Sequence, residues 1–278
     1  RLATLAPPGI DLNFGCPAPT VNRHRGGAAL LGEPELLHAI VRAVRGATPP
    51  GIPVTAKMRL GIDDTSRALD CALALEAGGA ESIVVHGRTK ADGYKPPARW
   101  EWIARIAETL GIPVIANGEV WTVDDWHGIR AVTGCDDVMV GRGAVSDPFL
   151  ARRIRGERDA RAASDEWPLL APALWTFWAG VQRKVEEKHA GGRLKMWLRY
   201  LGRTWPEAAV LMAELRTCAT FDTIEPVLVK ALGPKPAALA SAGGGEFETE
   251  EGPAPLGVVC GEPAGVFGDD ALHDRETQ

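Results

Sequence analysis

No stretch of this 278-residue sequence stays apolar for the roughly 20 residues needed to cross a bilayer. No charged-then-apolar leader opens it either, so the expectation is a cytoplasmic protein rather than an integral-membrane or exported one. Cysteine is sparse: Cys16, Cys71, Cys135, Cys218 and Cys260 are odd in number, far apart and form no CxxC pair. That excludes a zinc ribbon or a redox couple as the organising feature and leaves free thiols in a reducing compartment, with no metal expected. An initiating Met is also missing. The sequence opens on Arg1, and Leu2-Ala3-Thr4-Leu5-Ala6 reads as the end of a helix already under way, which predicts a segment upstream. Residues 237–278 lack any sustained apolar periodicity, so a disordered, low-complexity tail is expected over residues 235–278.

What is present supports a sizeable core, since 45% of the residues are hydrophobic. The net charge of −5 is misleading as a guide to partners. The last 42 residues hold nine acids and one base, Arg275, whereas the first 236 hold 30 bases and 27 acids, a balance of +3. A mildly basic body is compatible with nucleic acid without requiring it.

Five short β-branched runs recur between amphipathic stretches: Ile10 to Phe14, Pro53 to Lys57, Ser82 to His86, Pro113 to Asn117 and Asp137 to Gly141. Each has the length of a strand buried on both faces. Between them, Pro34 to Val44, Thr65 to Ala77, Arg99 to Leu110 and Thr122 to Val132 carry helical spacing; Pro34 suits a first turn, and Thr122 with Asp125 approximates a capping box. The spacing predicts successive right-handed βαβ units and a parallel sheet.

Every run ends in polar or glycine residues: Asn13 and Cys16, Lys57 and Arg59, His86 and Arg88, Asn117 and Glu119, Gly141 and Arg142. Convergence of many strand ends favours a (β/α)8 TIM barrel over a doubly wound sheet, whose site would gather at one switch point. Five strands do not close a barrel, so its first three are expected upstream. After Pro148 the pattern turns helical, over Leu169 to Val185 and Leu194 to Leu215. The expected organisation is a partial barrel over 1–158, a small all-helical domain over 159–234, and the tail.

At those strand ends, Cys16 lies between Gly15 and Pro17, where a thiol could act as acid or nucleophile; taken alone, it could equally be a buried small hydrophobe. Lys57 and Arg59 share one side of their strand, as suits an anionic ring or phosphate and also a solvated strand end. His86 is equally ambiguous. The Asn117-Gly118-Glu119 and Gly141-Arg142-Gly143 turns end consecutive strands, which points to a phosphorylated cofactor such as FMN.

Six motifs then stand in order: DLNFGCP (11–17), GGAALL (26–31), PVTAKMRLG (53–61), VVHGRT (84–89), PVIANGE (113–119) and VMVGRG (138–143). Together they resemble the signature of the tRNA-dihydrouridine synthases, most closely the bacterial C-type subgroup, whose helical-domain pattern is similar to GRLKMWL (192–198). The resemblance implies FMN reduced by NADPH and a uridine of tRNA, weakly position 16, reduced to 5,6-dihydrouridine. It implies Cys16 as the acid that protonates C5; Lys57, His86, Asn117, Gly118, Glu119, Gly141 and Arg142 around the flavin; and Asn13, Arg59, Tyr94, Arg193, Lys195, Tyr200 and Arg216 toward the RNA. It also implies a monomer with tRNA as partner. The alternatives are a small-molecule FMN oxidoreductase of the dihydroorotate type, against which the basic helical domain argues, and an inactive fragment that retains only RNA binding.

Overall fold

In the computed structural model, residue 5, residues 7–158 and residues 163–240 are described; the expectations for Leu2 to Ala6 and for the tail beyond residue 240 fall largely or wholly outside them. The order of elements is β1 (Ile10–Phe14), α1 (Pro19–Asn22), a 3-10 turn (Gly27–Gly32), α2 (Pro34–Ala47), β2 (Val54–Arg59), α3 (Ala68–Ala77), β3 (Ile83–His86), α4 (Trp100–Thr109), β4 (Val114–Asn117), α5 (Val123–Thr133) and β5 (Val138–Met139). Helices follow: α6 (Arg142–Ser146), α7 (Leu150–Ile154), α8 (Ala163–Lys184), α9 (Glu187–Leu201), α10 (Pro206–Glu214), α11 (Phe221–Leu232) and α12 (Ala237–Ala240).

Packing divides the chain into two compact units, the first running through Gly141 and the second starting at Arg142. The division falls before the expected one at residue 158, because α6 packs within the helical unit. Ser146 Oγ donates to the Tyr200 carbonyl at 2.8 Å, and Trp197 Nε1 donates to the Val145 carbonyl at 3.2 Å.

In the first unit the five strands are parallel and lie in the order β1-β2-β3-β4-β5. An order without reversal has no switch point, and right-handed crossovers then put every connecting helix on the same face. The core bears this out. Phe14, Ala56, Met58, Ile83, Val85, Val114 and Ala116, alternate residues of the strands, pack with Leu37 and Val41 of α2, Cys71 and Leu75 of α3, Ile103 and Ile106 of α4 and Ile129 of α5. Burying each of the larger side chains contributes about 2 kcal/mol.

The opposite face carries the other parity. Registered partners point to the same side, so Asp11 with Thr55, Asn13 with Lys57, Arg59 with His86 and His86 with Asn117 place polar side chains on this face of every strand from β1 to β4, interspersed with Val84 and Ile115. The Thr55 hydroxyl donates to Asp11 across it at 2.7 Å. Asp11 and Asn13 of β1, the edge strand of the described sheet, are exposed.

Several boundaries move for local reasons. The predicted fifth strand shrinks to Val138–Met139. α5 begins on a true capping box, with the Thr122 hydroxyl accepting from the Asp125 amide at 3.1 Å and the Asp125 carboxylate accepting from the Thr122 amide at 2.9 Å. The run from Leu194 to Leu215 is two helices, α9 and α10, because Gly202 caps the first and Pro206 opens the second.

The helical unit has its own core, in which Phe149, Trp175, Trp178, Leu194, Leu198, Trp205, Leu211 and Leu228 are buried together. At its start Arg153 pairs with Asp147 at 2.9 Å and with Glu166 at 2.5 Å, and Arg158 adds a second bond to Glu166 at 3.0 Å. Among the described residues no helix is long and apolar enough to cross a membrane.

Candidate active site

The site is built on the polar strand face of the first unit. Asn13 of β1 and Lys57 of β2 are registered neighbours, as are His86 of β3 and Asn117 of β4, each pair one inter-strand step of about 4.8 Å apart; across β2 and β3, His86 is registered with Arg59, two residues further along the strand than Lys57. Asn13 turns its side-chain oxygen back to the Gly15 amide at 2.9 Å, which shapes the loop that delivers Cys16. The Cys16 carbonyl accepts from the Ala28 amide at 2.9 Å and from the Asn22 side chain at 2.8 Å, and the thiol is half-buried. Gly27 is indispensable to this contact: its φ is +58°, and a Cβ would lie 2.6 Å from the Cys16 carbonyl oxygen.

Arg59 departs from its expected role. It is 2% exposed, donating from Nε to the Gly15 carbonyl at 2.9 Å and from Nη1 to the Thr89 and Gly93 carbonyls at 3.0 and 2.9 Å. Its guanidinium therefore clamps two loops instead of presenting itself to a phosphate. Burial pushes it below the ordinary guanidinium value, while Tyr94, Cys16 and Asp92 pull the other way, and it remains cationic. Tyr94 does face outward, 46% exposed, with its ring centre 5.3 Å from the Arg59 guanidinium and 6.5 Å from the His86 ring.

The Tyr94 loop is held by two residues that sequence reasoning passed over. Asp92 accepts from the Thr89 amide at 2.8 Å and from both terminal nitrogens of Arg99 at 2.6 and 3.0 Å. Burial alone would raise its carboxyl, but the Thr89 and Arg99 hydrogen bonds outweigh that and hold it below the usual range. An aspartate three residues after a threonine is the available sequence signal, the reciprocal capping-box pattern, with the Thr89 hydroxyl accepting from the Asp92 amide at 3.2 Å in return.

Beyond β4, Asn117 donates to the Met139 carbonyl at 2.8 Å, tying β4 to β5. Gly118 has φ +125° and Glu119 φ +62°, so the backbone turns sharply here. A Cβ on Gly118 would lie 3.1 Å from His86 Cδ2, which places the turn directly against the imidazole. Glu119 accepts from Trp121 Nε1 at 3.1 Å and forms an ion pair with the fully buried Arg88. Arg88, visible in the sequence as a strand-end residue, had no role assigned to it.

Gly141 ends the first unit, and the space where its Cβ would stand is open. Arg142 is the first residue of α6 in the second unit. There, Arg193 and Tyr200 stand two turns apart on one face of α9. Lys195 lies on another face and donates to the Arg216 and Cys218 carbonyls at 3.3 and 3.1 Å, which brings it to Arg216, whose side chain is exposed. Among the described residues no group of His, Cys, Asp and Glu is arranged to hold a metal ion.

A solved dihydrodipicolinate synthase family protein from Coccidioides immitis matches 84% of this chain and 77% of its own at a TM-score of 0.42 and 14% identity. Sequence similarity is far closer. The tRNA-dihydrouridine(16) synthase of Ralstonia nicotianae is 57% identical over 232 residues, 84% of this chain and 71% of that protein. The enzyme of the same name from Cupriavidus necator is 59% identical over 226 residues, 81% and 70% of the two chains, and that of Neisseria meningitidis serogroup B is 46% identical over 224, 80% and 67%. With the dihydrouridine synthase (Dus) family model matching residues 3–204, across the polar strand ends and into the helical unit, the chain belongs to that family.

Proposed function

We propose that this chain reduces a uridine of tRNA to 5,6-dihydrouridine, using FMN that NADPH reduces. The observation that carries the reading is the juxtaposition on one strand face of Asn13, Lys57, His86 and Asn117, with the Cys16 loop at its edge. The names of the relatives at 46–59% identity point the same way, and to position 16 of the D-loop.

The residues fit a flavin mononucleotide. The Gly118-Glu119 turn has the left-handed backbone that lets amides approach an anion, and the Glu119 carboxylate, unfavourable beside a phosphate, is neutralised by Arg88. Asn117, Gly118, Glu119 and Gly141 would hold the phosphate and ribityl chain, and Lys57 and His86 the ring. When bound and reduced, FMN supplies a hydride to C6 of the uracil.

The chain's own residues do the rest. Cys16 protonates C5, so one hydride and one proton add across the double bond and the thiol is left as thiolate, to be reprotonated from solvent. Lys57 supplies positive charge beside the ring system, and Asn13 sets the loop that aims the thiol. Arg59 is a positioning residue, holding the Gly15 carbonyl next to the acid. Tyr94 offers an exposed ring to a base drawn out of its stack.

The first unit reads as the larger part of a (β/α)8 barrel whose first three strands lie upstream. Its unreversed strand order, helices on one face and match to about seven-tenths of its relatives' length support that reading. The helical unit is the tRNA-binding domain, with Arg193, Tyr200 and Arg216 as contacts to phosphates and bases.

The test is a flavin titration, followed by NADPH-driven reduction of unmodified tRNA with dihydrouridine mapped by position. Cys16→Ala should retain flavin and lose most of the product. Reduction of free pyrimidines with none on tRNA would decide for a small-molecule reductase, and tRNA binding without flavin for a binding module.

A further inference from the structure

Arg88 contributes to the reading above only as a counter-charge, yet it has no exposed surface at all. Its amide bonds the His86 carbonyl at 2.7 Å, a tight local turn that folds the side chain back toward the imidazole two residues earlier. From there the guanidinium reaches three elements. Nε donates to the Lys95 carbonyl at 2.7 Å, Nη1 lies 3.2 Å from His86 Nε2, and Nη2 pairs with the Glu119 carboxylate.

A guanidinium has only donors and stays protonated in proteins, so the nitrogen it faces must accept. A protonated ring nitrogen has no lone pair in the ring plane with which to accept. With Nε2 as acceptor, the single proton of a neutral imidazole lies on Nδ1. The β4 turn passes along the same edge of the ring, since a Cβ added to Gly118 would lie 3.1 Å from Cδ2 and 3.5 Å from Nε2. Arg88 on one side and the β4 turn on the other enclose Nε2.

We propose that Arg88 is a positioning residue that sets His86 in its neutral, Nδ1-protonated tautomer while cancelling the charge of Glu119. His86 thus acts in the site as an uncharged hydrogen-bond donor through Nδ1, and the cationic role beside the ring system falls to Lys57. The functional meaning rests on the flavin reading; the tautomer itself does not.

Long-range proton–nitrogen correlation spectra of the full chain, labelled with nitrogen-15 in the histidine rings, read the tautomer directly, and loss of one spin system in His86→Gln assigns it. The expected result at neutral pH is a His86 protonated on Nδ1 alone. Protonation on Nε2, or on both nitrogens, overturns the proposal. In folded Arg88→Lys, whose single ammonium cannot bridge three partners, the His86 signal should shift to a mixture of tautomers; a purely structural Arg88 would leave it unchanged, and that outcome also overturns the proposal. Should Arg88→Lys not fold, Arg88→Gln is read the same way, and the wild-type spectrum still decides whether the tautomer is as stated. Flavin titration and tRNA reduction on the same preparation separate the two ideas. A chain with the expected tautomer but no flavin binding loses the proposed function alone, and an active chain with Nε2 protonated loses this inference alone.

Discussion

The Arg59 guanidinium donates to the Gly15 carbonyl at 2.9 Å, across 44 residues of sequence, immediately before the proposed acid Cys16. Its other bonds, to Thr89 and Gly93, anchor the loop that carries Tyr94. One buried cation therefore joins the loop bearing the acid to the loop bearing the exposed ring.

Arg59→Ala strands those carbonyls without donors in a buried setting, at about 1 kcal/mol each. Urea denaturation should show a loss of about 3 kcal/mol, and dihydrouridine formation should fall roughly 100-fold because the thiol is misplaced. Cys16→Ala should match the loss of product while leaving stability nearly unchanged. Equal destabilisation by both would contradict this division of labour.

Gly27→Ala meets two obstacles at once, a φ of +58° and a Cβ 2.6 Å from the Cys16 carbonyl oxygen. A stability loss of about 1–2 kcal/mol is expected from the backbone conformation alone, together with reduced activity. Gly46→Ala, in α2 with nothing within 4 Å of the new Cβ, should instead stabilise by up to about 1 kcal/mol.

Thiol reactivity should separate the cysteines. Burial pushes Cys71 up to about 12 and raises Cys135 as well, and both are enclosed, with Cys71 donating to the Leu31 carbonyl at 3.2 Å. Alkylation of the native protein at mildly alkaline pH, followed by peptide mass spectrometry, should label Cys16 and Cys218 well before Cys71 and Cys135. Early labelling of Cys71 would mean that α3 does not pack as described.

The Glu166 cluster predicts a pH dependence for the helical unit. Burial alone would raise this carboxyl, but hydrogen bonds from Arg153 and Arg158 outweigh it and hold the group below the ordinary value. A depressed value means that the contribution is complete above the unfolded carboxylate value of about 4.3 and lost as pH falls through the lower folded one. Glu166→Gln should lower stability at neutral pH by about 3 kcal/mol, with the difference from wild type narrowing in acid. Tryptophan fluorescence is a suitable probe, since Trp167, Trp175, Trp178 and Trp205 are buried in this unit's core.

The sheet was legible because its signals are local. A β-branched run such as Ile83 to His86 or a capping box such as Thr122 with Asp125 needs only its neighbours, and these elements stand where the pattern put them. The polar strand ends were legible for the same reason. The interruption of α9 and α10 was also in reach, written in Gly202 and Pro206, although the apolar spacing runs straight through it. Whether a strand is buried on one face or on both was not legible, because that depends on what lies beside it rather than on its residues.

By itself, then, the sequence determined the order of strands and helices, the side chains available at the strand ends, and kinship with one enzyme family, all of which follow from short-range periodicity and contiguous motifs. Only the tertiary structure decided how the cations are used. Arg59 and Arg88 read alike as strand-end arginines, yet one clamps carbonyls 30 to 44 residues away and the other faces the histidine that ends its own strand and a glutamate in the turn after β4. A guanidinium takes whichever acceptors the folded chain brings within hydrogen-bonding reach, and those are chosen by how strands and loops come together in space, which no stretch of neighbouring residues encodes.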